Sequence, residues 1–144
     1  MEIKDYPKSA IVSPESISKI MRAILTKEDE NDREKEHFWS IGLDSRNQIK
    51  YIELVTLGIL NASIIHPRET FRMAVMKSVA SIIICHNHPS GSLKPSVEDL
   101  TINKRLVEAG KILEIKIIDH IIITNDNDKQ GNKKYYSWDE ENLI

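Results

Sequence analysis

His86-Asn87-His88-Pro89-Ser90-Gly91 sets two imidazoles one residue apart, and Ser96-Val97-Glu98-Asp99 brings a carboxylate back after a short loop. In an extended segment successive side chains alternate faces at about 3.3 Å per residue, so His86 and His88 share a face while Asn87 points away. Two imidazoles and one carboxylate make three ligands and leave a fourth position open. That is the ligand count of a catalytic zinc, not of a structural one. Chemistry of this kind splits a bond with metal-activated water.

Each half of the pattern also has a plainer reading. Ser-x-x-Asp is an ordinary helix N-terminus, with a capping serine and an acidic first turn. The two readings are compatible, because the helix dipole stabilises a first-turn carboxylate as the anion a metal requires. His-x-His alone is weak, and only its combination with a Pro/Gly/Ser loop and a capped carboxylate is sharp.

A proton acceptor for the water should not itself be a ligand. Glu36, just before His37-Phe38-Trp39-Ser40-Ile41, is the candidate, although it also reads as a solvated glutamate closing a charge run. Glu34 lies two residues away on the same edge. Glu98 is a rival, but adjacent helical residues point about 100° apart and Asp99 takes the inward direction. Spacing alone leaves Glu53 and Glu69 open.

These groups need elements to hold them. Ser13-Pro14-Glu15 predicts a helix start, with Ser13 as cap and Pro14 at the first helical position. Ile17, Ile20, Met21, Ile24 and Leu25 give that helix one apolar face. Lys27 to Lys35 is densely charged and reads equally as a helix extension or a solvated loop. His37–Leu43 and Gln48–Leu57 read as strands joined by Asp44-Ser45-Arg46-Asn47, a hairpin.

Pro67 opens a second helix carrying Phe71, Met73, Ala74 and Val75 towards Met76. The apolar run from Val79 to Cys85 predicts a strand covered on both faces, with the histidines at its mouth. Pro95-Ser96 begins a third helix, with Leu100, Leu106 and Val107 as its buried stripe and Gly110 as its C-terminal cap. Ile115–Thr124 is a further strand and Lys133–Ser137 an edge strand. The order α-β-β-α-β-α-β predicts an α/β (α+β) fold, a mixed sheet flanked by helices.

With 144 residues, a single domain spanning 1–144 is expected, its core at about 36–137 behind an N-terminal helix and charged segment at 1–35. A net charge of -2 lacks the basic footprint of a dedicated nucleic-acid binder. The lone Cys85 rules out an intramolecular disulfide and fits a reducing compartment. The first residues lack a signal-peptide pattern and the apolar runs are too short to span a bilayer, so a cytoplasmic protein is expected. Its oligomeric state is left open by the sequence.

Four other features admit simple readings. Cys85 should face away from the histidines as an inert core thiol. Asp119-His120 reads as a structural hydrogen-bonded pair with an outer-sphere role open to it. Lys133-Lys134-Tyr135-Tyr136-Ser137-Trp138 reads as an edge strand packing its aromatics, with stacking on single-stranded nucleic acid as the alternative. Asn87, Ser90 and Ser92 are assigned to loop geometry and substrate contact.

The His-x-His, seven-residue spacing and Ser-x-x-Asp, with a glutamate upstream, resemble the signature of the JAB/MPN metalloproteases. The HNHPSG form, His66-Pro67-Arg68-Glu69 and Asp119-His120 are similar to the RadC family, over about Glu36 to Ser137. The resemblance implies a JAB/MPN-like fold with a cytidine-deaminase-like layout. The deaminases' His-x-Glu and Pro-Cys-x-x-Cys are missing, however, and with one cysteine that ligand set cannot form. His86-Asn87-His88 also spells the name of the HNH nucleases, whose residues are spread over a whole motif.

By position, the resemblance implies Zn2+ held by His86, His88 and Asp99, Glu36 as the catalytic glutamate and Ser96 as the serine that steadies an oxyanion. The implied activity is hydrolysis of an amide or isopeptide bond in a protein or peptide. The alternative is a DNA-repair-associated or nucleic-acid-binding accessory protein with a structural metal. RadC-like proteins usually carry an N-terminal helix-hairpin-helix region. The residues ahead of Glu36 are too few for one, which weakens the DNA-repair expectation.

Overall fold

The computed structural model describes residues 1–9, 11–125 and 134–144. Six strands form one sheet in the order β1-β3-β2-β4-β5-β6. They are β1 (Glu2–Ile3), β2 (Glu36–Leu43), β3 (Ile49–Gly58), β4 (Ser81–His88), β5 (Lys116–Thr124) and β6 (Tyr135–Ser137). β4 and β5 are parallel, and every other neighbouring pair is antiparallel. The parallel pair needs a crossover, which is α5 (Val97–Leu113).

Alternation along the strands sorts the core into two layers. Trp39, Ile41, Ile83, Cys85, Ile121 and Ile123 pack beneath α1 (Pro14–Thr26), against Ile17, Met21 and Leu25. Phe38, Tyr51, Ile82 and Ile84 face the other way, towards Phe71, Ile102 and Leu106. The parity of β4 therefore sends Cys85 into the α1 layer and His86 into the α5 layer. Gly42 has no side chain for a physical reason, since a Cβ there would lie 1.9 Å from the Tyr51 ring.

Several sequence expectations change in detail. Ser13 caps α1 as predicted, in a reciprocal capping box with Ser16. The charged segment folds into a short helix α2 (Glu30–Arg33), capped by Asp29, with Glu28 bonded to the buried His37 ring. The second helix is two pieces, α3 (Pro67–Thr70) and α4 (Arg72–Met76), hinged at Phe71. Only Phe71 and Ala74 of its predicted face are buried, while Val75 and Met76 are exposed. β1 was not foreseen, because two residues carry no periodicity.

α5 departs most from its prediction. Its inward stripe is Asp99, Ile102, Asn103, Leu106 and Gly110, so two polar side chains occupy positions that hydrophobicity assigns elsewhere. Leu100 is rotated outwards and 47% exposed. Gly110 is not the cap; the helix runs on to Leu113 and ends at Glu114 in the left-handed region (φ 57). Gly110 is instead required by space, because a Cβ would sit 2.5 Å from the Ile115 carbonyl oxygen. The edge strand begins at Tyr135; Lys133 lies outside the described residues. Trp138, just beyond it, is 1% exposed and is not a free stacking surface. Among the described residues no helix is long and apolar enough to cross a membrane.

Candidate metal centre

β4 runs through both histidines, further than the apolar run predicts, because β2 and β5 pair with it on either side. Phe38 lies across from His86, and Ile122 and Thr124 lie beside His86 and His88. His88-Pro89-Ser90-Gly91 then turns sharply, with the Gly91 N–H donating to the His88 carbonyl at 3.0 Å and Gly91 at φ 87. The turn returns the Ser92 carbonyl to the His88 Nδ1, 2.8 Å away. α5 opens immediately afterwards. Ser96 is its cap, the Ser96 Oγ accepting from the Asp99 N–H and the Asp99 Oδ2 accepting from the Ser96 N–H. The N-terminal cap anticipated in the sequence is thus also the device that aims Asp99 at β4.

Three side chains converge. The Nε2 atoms of His86 and His88 are 3.0 Å apart, His88 Nε2 is 3.0 Å from Asp99 Oδ2, and His86 Nε2 is 3.2 Å from Asp99 Oδ1. Among the described residues they form a group able to hold a metal ion. His88 must donate its Nδ1–H to a carbonyl, so as a neutral ring it presents an Nε2 lone pair to Asp99. A cluster of lone pairs facing one another calls for a cation, and the donor set fits one.

Burial and charge pairing compete at all three side chains. Burial lowers the pKa of His86 despite its contact with Asp99. Burial also opposes the charge on His88, but the Asp99 carboxylate and the Ser92 carbonyl outweigh it and raise its pKa. Burial works against the Asp99 anion too, yet the two imidazoles and the Ser96 N–H hold it well below the usual carboxylate range.

The donors lie on the floor of an open cleft of about 730 Å³. Glu36 is on its wall, half-buried, and accepts a hydrogen bond from the Leu60 N–H. Extending the register that pairs Phe38 with His86 sets Glu36 across from His88, on the same face as the ligands. Glu36 faces both imidazoles closely enough to favour their charged forms. Glu34 also reaches the cleft, but from the exposed end of α2. Glu98 lines it with its carboxylate occupied by the Ala62 N–H at 2.8 Å. Glu53 is buried elsewhere against Arg72, and neither it nor Glu69 lines the cleft.

Some roles differ from those expected. Asn87 is wholly buried and does not line the cleft. Its Oδ1 accepts from the His37 N–H at 2.6 Å, and its Nδ2 donates to the Lys35 carbonyl at 3.1 Å. The residue between the two histidines therefore grips the backbone on both sides of Glu36. Asp119 and His120 are hydrogen-bonded as expected, the His120 backbone N–H donating to the Asp119 Oδ1 at 2.7 Å, but their side chains point to opposite faces. Asp119 accepts from the Ser137 hydroxyl and the Asp139 N–H, tying down the chain after β6. His120 lies behind His86 instead, its Nε2 2.8 Å from the His86 Nδ1. Asn103 and the Leu60 N–H were missed. A polar residue one turn after Asp99 on an otherwise apolar stripe is the signal that marks Asn103, whereas nothing in the sequence marks the Leu60 amide.

The family described as "RadC-like JAB domain" matches residues 11–143. The chain belongs to that family. It is 44% identical over 140 residues to a "UPF0758 protein" of Methanosarcina mazei, covering 97% of this chain and 56% of the relative. To a "UPF0758 protein" of Listeria welshimeri it is 51% identical over 107 residues, 74% of this chain and 45% of the relative. The chain thus spans about half the length of the curated relatives it matches. The six-stranded mixed sheet flanked by helices is the JAB/MPN-like fold that the sequence predicts.

Proposed function

We propose that this RadC-like domain is a zinc-dependent hydrolase of amide bonds in a protein or peptide. The observation that carries the proposal is the convergence of two imidazole nitrogens and a carboxylate within 3.2 Å of one another at the floor of an open cleft. Tetrahedral zinc with bonds of about 2.0–2.1 Å needs donors about 3.3 Å apart, close to the observed separations. An all-nitrogen-and-oxygen set with three members suits a catalytic zinc.

Zinc, when bound by His86, His88 and Asp99, lowers the pKa of water to about 7 and polarises a carbonyl. The chain's own groups do the rest. Glu36 takes the proton of the attacking water and delivers it to the leaving amine, and the Leu60 N–H keeps its carboxylate turned into the cleft. The Ser96 Oγ accepts from the Asp99 N–H, so its hydroxyl hydrogen remains free to donate to the carbonyl oxygen as negative charge grows there. A donor in that position contributes about 3 kcal/mol to the transition state.

The test is metal analysis of protein purified without added zinc, followed by a peptide-library cleavage screen. Stoichiometric zinc and chelator-sensitive cleavage are expected. Protein that binds no divalent metal at micromolar concentration would end the proposal.

A further inference from the structure

We infer that His120, held by Asn103, is the positioning residue that decides which nitrogen of His86 faces the ion. The inference rests on the metal-site reading above and goes beyond it. It follows from a line of hydrogen bonds with only one workable polarity.

At the outer end, Asn103 Oδ1 lies 3.0 Å from His120 Nδ1. A carbonyl oxygen only accepts, so His120 Nδ1 carries the hydrogen and its Nε2, in the neutral ring, carries a lone pair. That Nε2 is 2.8 Å from His86 Nδ1, which must then donate. The hydrogen of His86 is thereby placed on Nδ1, and its Nε2 lone pair points at His88 and Asp99. Reversing the line would put a hydrogen on His86 Nε2, where a ligand atom is needed.

The surroundings leave His120 little freedom. It is fully buried and stacks on Trp138 with ring centroids 4.0 Å apart and planes 8° apart. Phe38 meets it edge-on at 6.5 Å. The ring can use its in-plane nitrogens only along the line from Asn103 to His86. Asn103 is one helical turn beyond Asp99 on α5, so one helix supplies both the carboxylate donor and the outer acceptor. A partner of this kind behind a metal-ligating histidine fixes its tautomer, and losing one typically weakens metal binding about 10–100-fold.

The experiment has two readouts, neither of them activity. Long-range proton–nitrogen NMR of the metal-free protein above pH 7.5 should show His86 and His120 both protonated at Nδ1. Competition with a zinc-binding dye should show His120→Phe, which keeps the stacking on Trp138, binding about 10–100-fold more weakly than wild type. His120→Gln, whose amide oxygen can accept from His86, should restore most of that affinity. Asn103→Leu, acting two residues away from the ion, should weaken zinc in the same direction.

A hydrogen on His86 Nε2 in the wild type overturns the inference. So does unchanged zinc affinity in His120→Phe and Asn103→Leu variants that keep a native near-ultraviolet spectrum. Wild-type protein that takes up no zinc refutes the metal reading alone, since the tautomer is read without metal.

Discussion

Replacing Asp99 with Asn tests the site without disturbing the helix that carries it. The amide oxygen of Asn can still accept from the Ser96 N–H, so the cap of α5 survives. What disappears is the one anion among the three converging donors. In the metal-free protein that anion sits nearly buried beside two imidazoles, and an amide in its place can donate to one of their lone pairs. That recovers only part of what is lost: the imidazoles and the Ser96 N–H hold the Asp99 carboxyl well below the usual range, so its anion favours the folded state and the metal-free variant should be less stable than the wild type at neutral pH.

Zinc separates the two proteins. At a free zinc concentration 100 times its Kd, binding stabilises the native state by about 2.7 kcal/mol. A chain of 144 residues unfolds with an entropy of about 0.3 kcal/mol/K. The wild-type Tm should thus rise by about 9 °C in a chelator-buffered zinc titration followed by scanning calorimetry. Asp99→Asn should shift by less than about 2 °C at the same free zinc. An equal shift in both would show that Asp99 is no ligand, and the proposed centre would fail with it.

Glu36→Gln should keep zinc affinity within about 3-fold and lose turnover on any peptide the wild type cleaves, while Glu34→Gln keeps both; a fully active Glu36→Gln protein removes that residue from the chemistry. Gly42→Ala forces a methyl to within 1.9 Å of the Tyr51 ring, and should lower stability to urea by about 1–3 kcal/mol or more. Tyr51, buried with its hydroxyl 2.8 Å from Ser40 Oγ, has its pKa pushed up by burial to about 12 from an ordinary 10.0. The folded phenol keeps its proton where the unfolded one has lost it, so its contribution is whole below pH 10 and falls between pH 10 and 12 by roughly 3 kcal/mol. Urea midpoints at pH 9 and 11 should diverge less in Tyr51→Phe than in the wild type; identical slopes would refute the assignment.

The three converging side chains were legible because they are local. Strand parity alone puts His86 and His88 on one face, and the Ser96 cap aims Asp99 within the same short stretch. The two-layer core was legible for a similar reason, since Ile82 to Cys85 and Ile121 to Ile123 read as buried strands from composition. What escaped depends on contacts between distant segments. Asn87 finds its partners on β2 and the residue before it, Trp138 finds His120, and Gly110 is demanded by a carbonyl of the chain turning into β5. Leu100 misled because hydrophobicity ranks it above Asp99 for an inward position. A cation site reverses that ranking.

Because β4, the turn at Gly91 and the first turn of α5 together supply all three converging side chains, the proposed ion-binding unit is one continuous ribbon of backbone. It could be grafted onto another sheet-and-helix scaffold as a single cassette. Glu36 would not travel with it, for it arrives on a neighbouring strand encoded some fifty positions earlier. On the proposed reading, a transplant of the ribbon alone should yield a protein that captures metal but turns nothing over, and catalysis would require a second insertion bearing the Glu36 carboxylate.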